Sequence, residues 1–365
     1  MEMGKRLVSG RALGWAILAF VPLVIQAQPD EAKLSLRTAN GQTTFHIGER
    51  IPIRLTFSSP NDWGFQFLPL IRGRGDEFDC NQFEVVPATG WSDPMAMYFK
   101  QDFIRNIHGW SLQPMLKSKP VTAVLDLNQW VRFDQAGDYT VKVTSHCISN
   151  GNVPGSYSLS ENIELHIIPA TPEWQEKEIT SIKYNLDLHF DPETESEDGE
   201  TYVSQSVRRI PAHAIAWARL QYLATPAAID ELTSRLTGEN YNDDEICSIG
   251  LESLPDALRE TAVASMNKRI LDPYFPISKR FFSTLSFLHV TPGSDKESIR
   301  KQREAIKPVI WLKIFTAAKK KEINAQAQTV QTLLYYGSYL QNPLVKAKMR
   351  ILSKEYAGLI DPAKH

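Results

Sequence analysis

Three tryptophans are the clearest candidate ligand-binding residues of this chain. Trp63, Trp91 and Trp110 lie in a segment of about residues 61–120 that is rich in aromatic residues and proline. Flat aromatic rings provide a large contact area at little conformational-entropy cost, so these side chains could bind a glycan or a peptide. The alternative is that the rings pack a minor core beneath long loops. We favour that structural interpretation.

Residues capable of catalysis form no recognisable motif. Asp76, Glu77 and Asp79 lie in the same aromatic segment and could serve a hydrolase as acid and base. His146 and Cys147 are adjacent, but one such pair lacks the second cluster of a metal site. Nucleophile-elbow, zinc-protease, Cys-x-x-Cys and phosphate-loop patterns do not occur. The sequence therefore predicts no catalytic residue, cofactor or metal, and it favours a protein that is not an enzyme.

Two of the three cysteines form a candidate disulfide. Cys80 and Cys147 both lie in the N-terminal region, whereas Cys247 lies among helical segments. A disulfide between the first two is permissible in an exported protein, and the alternative is that all three thiols are free. We predict that Cys247 is a buried small apolar residue.

The N-terminus has the features of a bacterial export signal. Lys5, Arg6 and Arg11 give it a positive start, an apolar run of about 14 residues follows, and Ala27 precedes a candidate cleavage site. An uncleaved membrane anchor is the alternative, but the run is shorter than the roughly 20 residues that span a bilayer. We therefore expect an exported protein, periplasmic or extracellular, that has no membrane insertion after cleavage.

Length, charge and composition limit the classes of protein to consider. The chain has 365 residues, which suits two domains, and 42% of them are hydrophobic, enough for packed cores. The 40 basic and 42 acidic side chains give a net charge of −2. This balance gives no electrostatic reason to expect a nucleic acid or an anionic membrane as partner.

Residues 28–170, which follow the export signal at 1–27, have the two-residue period of β-strands. Apolar and polar residues alternate most clearly at 51–57, 121–127, 139–144 and 163–167, with shorter candidates at 33–37 and 43–46. Short alternating strands separated by turn residues predict an antiparallel β-sandwich with a long Trp-rich insert. The stretch 133–143, with Tyr139 after a glycine turn, resembles the last-hairpin entry of immunoglobulin-like bacterial sandwiches.

Residues 202–365 have the period of α-helices. The segment 171–201 is predicted as a linker, in which 174–188 has mixed helical character and 191–200 is a solvated acidic loop. Thr225 is the predicted N-cap and Pro226 the first residue of a helix that Gly238 ends. Together with the preceding apolar stripe, this helix forms an αα-hairpin. Further pairs follow at 245–270, 276–320 and 322–359, and Pro308 is expected to kink or break the longest helix.

Some of these segments resemble a known type of protein. Residues 219–232 and 251–263 resemble HEAT-type repeats, in which paired helices stack into a solenoid that contacts other proteins. Residues 91–94 and 127–134 are similar to an uncharacterised group of exported bacterial proteins that join a β domain to HEAT-like helices. The resemblance implies an interaction scaffold whose helical domain contacts protein partners. The alternative is a glycan- or peptide-binding module or a hydrolase that uses the Trp-rich insert.

Overall fold

The computed structural model divides the chain into a β half and an α half. It describes residues 32–59, 65–67, 80–96, 115–116, 120–149, 157–188 and 212–356. The predicted export signal, the acidic loop, Trp63, Trp110 and the carboxylates Asp76, Glu77 and Asp79 lie outside these ranges. The prediction of strands followed by helices is confirmed. Among the described helices, none is long and apolar enough to cross a membrane.

The described strands of the β half form three sheets. They are β1 (Lys33–Thr38), β2 (Thr44–His46), β3 (Pro52–Ser58), β4 (Phe65–Phe67), β5 (Asn81–Val86), β6 (Trp91–Ser92), β7 (Met115–Leu116), β8 (Val121–Asp126), β9 (Arg132–Phe133), β10 (Gly137–Ser149) and β11 (Tyr157–Ile168). One sheet has the order β1-β3-β8, and a second has the order β2-β11-β10-β4-β7 with β5 also paired to β10. Strands β6 and β9 form a separate two-stranded ribbon.

The prediction of purely antiparallel pairing is wrong at one edge. Strand β2 pairs in parallel with β11, and Phe45 lies opposite Ile167. The two strands are more than 100 residues apart in the chain, so no hairpin turn fixes their relative direction. The sequence between β1 and β3 therefore leaves the first sheet and adds a strand to the second.

The region predicted as an irregular insert contains regular strands. The longest is β5, which runs antiparallel to β10 from Asn81 opposite Ser145 to Val86 opposite Thr140. Val85 is buried between exposed neighbours, so an alternating pattern is present but short. The segment around β5 is rich in aromatic residues and proline, so this short alternation does not stand out in the sequence.

Side chains from the two larger sheets share one core. Ile53, Leu55 and Phe57 on β3 and Val141 and Val143 on β10 are fully buried in the same cluster. The disulfide between Cys80, just before β5, and Cys147 on β10 borders this core, with an S–S distance of 2.07 Å and a Cα–Cα distance of 5.0 Å. The third cysteine, Cys247, is a free thiol buried in the α half.

The helices of the α half begin earlier than predicted. The described helices are α1 (Pro172–Asp187), α2 (Ala212–Leu223), α3 (Pro226–Arg235), α4 (Tyr241–Glu252), α5 (Asp256–Leu271), α6 (Lys279–Leu288), α7 (Lys296–Ala318), α8 (Ile323–Tyr339) and α9 (Pro343–Glu355). Helix α1 occupies the first part of the predicted 171–201 linker. Its buried Ile179, Ile182 and Leu186 join the core of the α half, so this segment belongs to the packed structure.

The helices pack in two alternating series. Helix α4 contacts both α2 and α6, while α5 contacts both α3 and α7. Phe281, Phe282 and Trp311 are completely buried between them. The sequence predicts a kink or a break at Pro308, and helix α7 continues through this residue, so it is not broken there. Pro308 has no backbone N–H to donate to the Glu304 carbonyl oxygen. Because Glu304 is exposed, that carbonyl oxygen can accept a hydrogen bond from water instead.

Candidate functional site

A cleft of about 650 Å³ lies between the β half and the α half. The described residues that line it are 47–48, 92–94 and 132–134 from the β half and 175, 222–225, 252–256, 259 and 292–293 from the α half. Concave surfaces between domains are common ligand sites. Because each half supplies one wall, the relative position of the halves determines the shape of this cleft.

Arg132 is the centre of the β wall. On the β6–β9 ribbon it lies opposite Ser92. Its Nε donates to Asp134 Oδ1 at 2.9 Å, and its Nη2 donates to Ser92 Oγ at 2.9 Å. Its Nη1 crosses the cleft and donates to the Ser253 carbonyl oxygen at 2.6 Å. A guanidinium from the β half is thus bonded directly to the backbone of the α half.

Tyr139 supports the ribbon from behind. Its hydroxyl lies 3.0 Å from the Gln135 carbonyl oxygen and 3.2 Å from that of Gly90, to either of which it can donate. Gly90 has a φ of +84°, and a Cβ there would lie 2.3 Å from the Tyr139 hydroxyl, so glycine is required. Burial raises the pKa of Tyr139, and the nearby Asp134 charge raises it further. The phenol therefore remains a hydrogen-bond donor.

The loop after β2 makes a second contact with the α half. Gly48 has a φ of +82°, and a Cβ at this position would lie 2.9 Å from the Leu223 carbonyl oxygen at the end of α2. The His46 ring stacks on Trp174 of α1 with centroids 4.4 Å apart and planes 16° apart. His46 Nδ1 lies 3.0 Å from Glu49 Oε2, which fixes the ring orientation. This loop is therefore held against both α1 and α2.

The α wall consists of helix ends. Ala224, in the turn between α2 and α3, has a φ of +45°, a left-handed conformation that costs a non-glycine residue roughly 1–2 kcal/mol. Arg259 is buried on α5, where its Nη2 donates to the carbonyl oxygens of Phe287 at 2.8 Å and Val290 at 3.2 Å. Burial lowers the pKa of Arg259, and the neighbouring Asp256 and Glu252 oppose that shift. This guanidinium holds the end of α6 against α5.

The charges that line the cleft are predominantly acidic. Its described lining contains four carboxylates and two guanidinium groups: Asp93, Asp134, Glu252, Asp256, Arg132 and Arg259. One carboxylate, Asp134, is paired with Arg132. The excess of negative charge favours a neutral or basic ligand.

The described lining of the cleft offers hydroxyl, carboxylate and guanidinium groups. The described lining residues include no histidine, cysteine or lysine. The Ser92 hydroxyl donates to the Asp134 carboxylate at 2.7 Å, an arrangement that holds the side chain in place without a histidine base. Within the described residues, no group of three or more metal-ligating side chains comes together.

Trp91 is the one predicted ligand-binding tryptophan in the described part of the chain. It lies on β6, and its ring packs, partly buried, against the β core. Its indole nitrogen is buried and has no hydrogen-bond partner among the described residues. The next residue, Ser92, lines the cleft. The structure therefore places Trp91 behind the wall of the cleft, whereas Trp63 and Trp110 lie outside the described residues.

The residues that build the cleft were missed by sequence reasoning. Arg132 and Asp134 are two positions apart on an extended segment, a spacing that places both side chains on one face of the ribbon. That spacing was the available signal. Ser253 and Arg259 gave no comparable signal, because their roles depend on which helix end meets which strand.

Comparisons with known proteins do not identify a family. No family model and no curated protein matches the chain. Among solved structures, it overlaps the native conformation of alpha-2-macroglobulin from E. coli, with 9% identity, a TM-score of 0.22 and coverage of 88% of this chain and 22% of the other. It also overlaps Salmonella alpha-2-macroglobulin reacted with methylamine, with 11% identity, a TM-score of 0.22 and coverage of 90% and 26%. The chain thus spans about a quarter of the length of these proteins.

Proposed function

We propose that this protein is an exported, non-enzymatic interaction scaffold whose cleft binds an extended segment of a protein partner. The observation that carries the proposal is the cleft of about 650 Å³ with one wall from each half. Arg132 and Arg259 are already bonded to backbone carbonyl oxygens, so the walls are positioned before a partner arrives. A preorganised site loses less entropy on binding than a mobile one.

The charge of the cleft defines the partner segment. Asp93 and Asp256 are exposed at its wall, and the guanidinium of Arg132 forms an ion pair with Asp134. A segment that carries lysine or arginine would gain charge-assisted hydrogen bonds from these carboxylates. Complementary charge also speeds the encounter with such a segment and disfavours acidic competitors.

The finer architecture and the compartment form part of the same proposal. The β half is an immunoglobulin-like sandwich, which the shared core of the two larger sheets supports. The α half is a short HEAT-like array, which the alternating contacts among α2 to α7 support. Export is supported by the basic and apolar residues of the N-terminus and by the Cys80–Cys147 disulfide, which persists in oxidising compartments.

Site-specific photocrosslinking tests the cleft directly. A photoreactive phenylalanine analogue replaces the partly exposed Gln175 or the exposed Pro292, both of which line the cleft and neither of which carries a charge. The matched control positions are Glu161 on β11 and Arg350 on α9, both exposed and both outside the cleft lining. After irradiation in an envelope extract from the cells that make the protein, we expect the same protein adduct from both cleft positions and from neither control position.

Competition with charged peptides then tests the preference for a basic segment. Oligolysine added before irradiation is expected to reduce the cleft adduct, whereas oligoglutamate of equal length leaves it unchanged. Equal adducts at cleft and control positions would contradict binding in the cleft. A cleft adduct that oligoglutamate removes would leave the cleft as a binding site but contradict the basic partner.

A further inference from the structure

A second surface of the α half combines exposed tyrosines with two cations. We call it the tyrosine–cation strip, and it consists of Tyr241, Lys279, Arg280, Tyr335 and Tyr339. Tyr241 is 70% exposed, Tyr339 is 68% exposed and Tyr335 is 43% exposed. Exposed large aromatic rings that lie together are typical of protein-binding surfaces, where tyrosine and arginine are enriched.

Direct contacts connect the members of the strip. The Lys279 ammonium lies 4.1 Å from the Tyr335 ring centroid, and Tyr335 contacts Tyr339 with centroids 5.4 Å apart. On the other side, the Arg280 guanidinium lies 5.6 Å from the Tyr241 ring centroid, and its Nη2 is 3.4 Å from the Tyr241 hydroxyl. Consecutive residues of α6 thus reach α8 on one side and α4 on the other.

The Lys279 ammonium has no salt-bridge partner among the described residues, whereas the charge of Arg280 is partly balanced by the Asp244 carboxyl. Within the described part of the chain, neither Lys279 nor Arg280 forms a salt bridge, and each rests on a tyrosine ring. Arg280 also acts on the buried Asp244 carboxyl, whose pKa it lowers against the larger effect of burial. Both cations occupy the first turn of α6, where the helix dipole disfavours positive charge. Their interaction with the dipole of α6 is therefore unfavourable.

The ring geometry suits side chains better than a sugar. Tyr335 and Tyr339 meet at an interplanar angle of 66°, and Tyr335 meets Tyr336 at 88°. A continuous platform of coplanar rings, on which an extended glycan could stack, is therefore missing from this group of rings. Rings in different orientations present both faces and edges, which apolar side chains can contact, and the adjacent cations can bond to carboxylates.

The strip lies far from the cleft. Tyr241 is the first residue of α4 and Glu252, which lines the cleft, is its last. At 1.5 Å per residue the 12 residues of α4 separate the two surfaces by about 18 Å. We infer that the tyrosine–cation strip is a second docking surface, and that it binds an acidic peptide segment that also carries apolar side chains.

Peptide selection on the intact protein tests this inference. A display library of random short peptides is selected on the wild-type chain, and the affinities of enriched peptides are measured by fluorescence polarisation. We expect enriched peptides to be acidic and to contain apolar residues. Replacing Lys279→Glu together with Tyr335→Ala is expected to weaken their binding by at least about tenfold, because charge attraction and an aromatic anchor are lost together. Added salt is expected to weaken binding to the wild type.

A matched variant on α1 provides the control. Lys177 and Tyr184 are exposed on that helix, so Lys177→Glu with Tyr184→Ala makes the same chemical changes away from the strip. This variant is expected to bind the selected peptides as the wild type does. Selected peptides without acidic residues, or equal loss in both variants, would overturn the inference. Two further results would also overturn the inference. One is that the strip binds heparin, a sulfated polysaccharide, while no peptide is enriched. The other is that the wild-type chain forms a dimer in solution that the strip variant abolishes.

Discussion

The Asp244 carboxyl is buried on α4, where its Oδ1 accepts the backbone N–H of Gly238 at 3.0 Å. Burial raises its pKa from 3.8 to about 6, although the bond from Gly238 and the charge of Arg280 act in the opposite direction. The folded protein therefore holds this proton more tightly than the unfolded chain. Between pH values of about 4 and about 6, the contribution of Asp244 makes the free energy of unfolding fall as pH rises.

The substitution Asp244→Asn tests the direction of this pH dependence. Asparagine can still accept the Gly238 N–H but carries no charge, so we expect the variant to gain stability relative to the wild type as pH rises from about 4 to about 6. Urea denaturation at several pH values measures the difference. Asp295→Asn is the control of opposite sign, because hydrogen bonds from Ser298 lower the pKa of Asp295. That variant should lose stability relative to the wild type as pH rises through the range at and just below about 4, because the folded protein holds the Asp295 proton less tightly than the unfolded chain. A gain by both variants, each in its own pH range, would contradict the argument.

At the scale of single elements, the N-cap of α3 lies at the residue that the sequence predicts. The Thr225 hydroxyl oxygen accepts the N–H of Ala228 at 3.2 Å, and Pro226 occupies the first turn. Thr225→Ala leaves that buried N–H without its partner, so we expect a loss of about 1 kcal/mol in the free energy of unfolding. Chemical denaturation measures the loss. Thr225→Ser keeps the oxygen and should remain near the wild type, whereas a similar loss in both variants would assign the effect to packing of the methyl group.

The elements that sequence reasoning predicted well have strong local signals. Thr225 and Pro226 mark a helix start through local hydrogen bonding and a fixed φ, and β3 has a full alternation of Ile53, Leu55 and Phe57. Helix α1 has a weaker signal because its sequence is mostly polar, so 174–188 shows only mixed helical character and few apolar residues mark the buried stripe of Ile179 and its partners. Its burial depends on α2, which begins 25 residues after α1 ends.

The candidate site was much less predictable than the elements. Arg132 becomes informative only when β9 pairs with β6 and the ribbon meets Ser253 at the end of α4. These contacts join positions 40 and 121 residues apart in the chain, and no local period encodes them. Trp91 shows that residue type alone is also a weak guide. Tryptophan is typical of ligand sites, but the ring of Trp91 packs, partly buried, against the β core.

For the whole molecule, the cleft depends on how the two halves are joined. Arg132 bonds to Ser253, His46 stacks on Trp174, and Gly48 lies against the end of α2. Each contact comes from a loop or a short strand of the β half, and each meets a helix or a helix end. A partner in the cleft would touch both halves, so its binding energy would add to these contacts and stabilise the same arrangement.

Two glycines with similar backbone conformations allow the junction to be tested. Gly48 and Gly41 have φ values of +82° and +74°, so alanine at either position costs roughly 1–2 kcal/mol in backbone strain. At Gly41 no atom lies within 4 Å of the added Cβ, whereas at Gly48 the Leu223 carbonyl oxygen lies 2.9 Å away. Gly48→Ala must therefore also separate the β half from α2, and we expect it to lose more stability than Gly41→Ala in urea denaturation.

Hydrogen exchange locates this additional loss. We expect Gly48→Ala to increase amide exchange at 222–225 and at 253–256, two segments of the α wall that the β half contacts, because the contact at Leu223 and the bond from Arg132 hold the same two halves together. Gly41→Ala should leave exchange in these segments unchanged, because its strain is confined to the turn between β1 and β2. Equal stability losses with unchanged exchange in both variants would mean that the halves are held together without the close approach at Gly48.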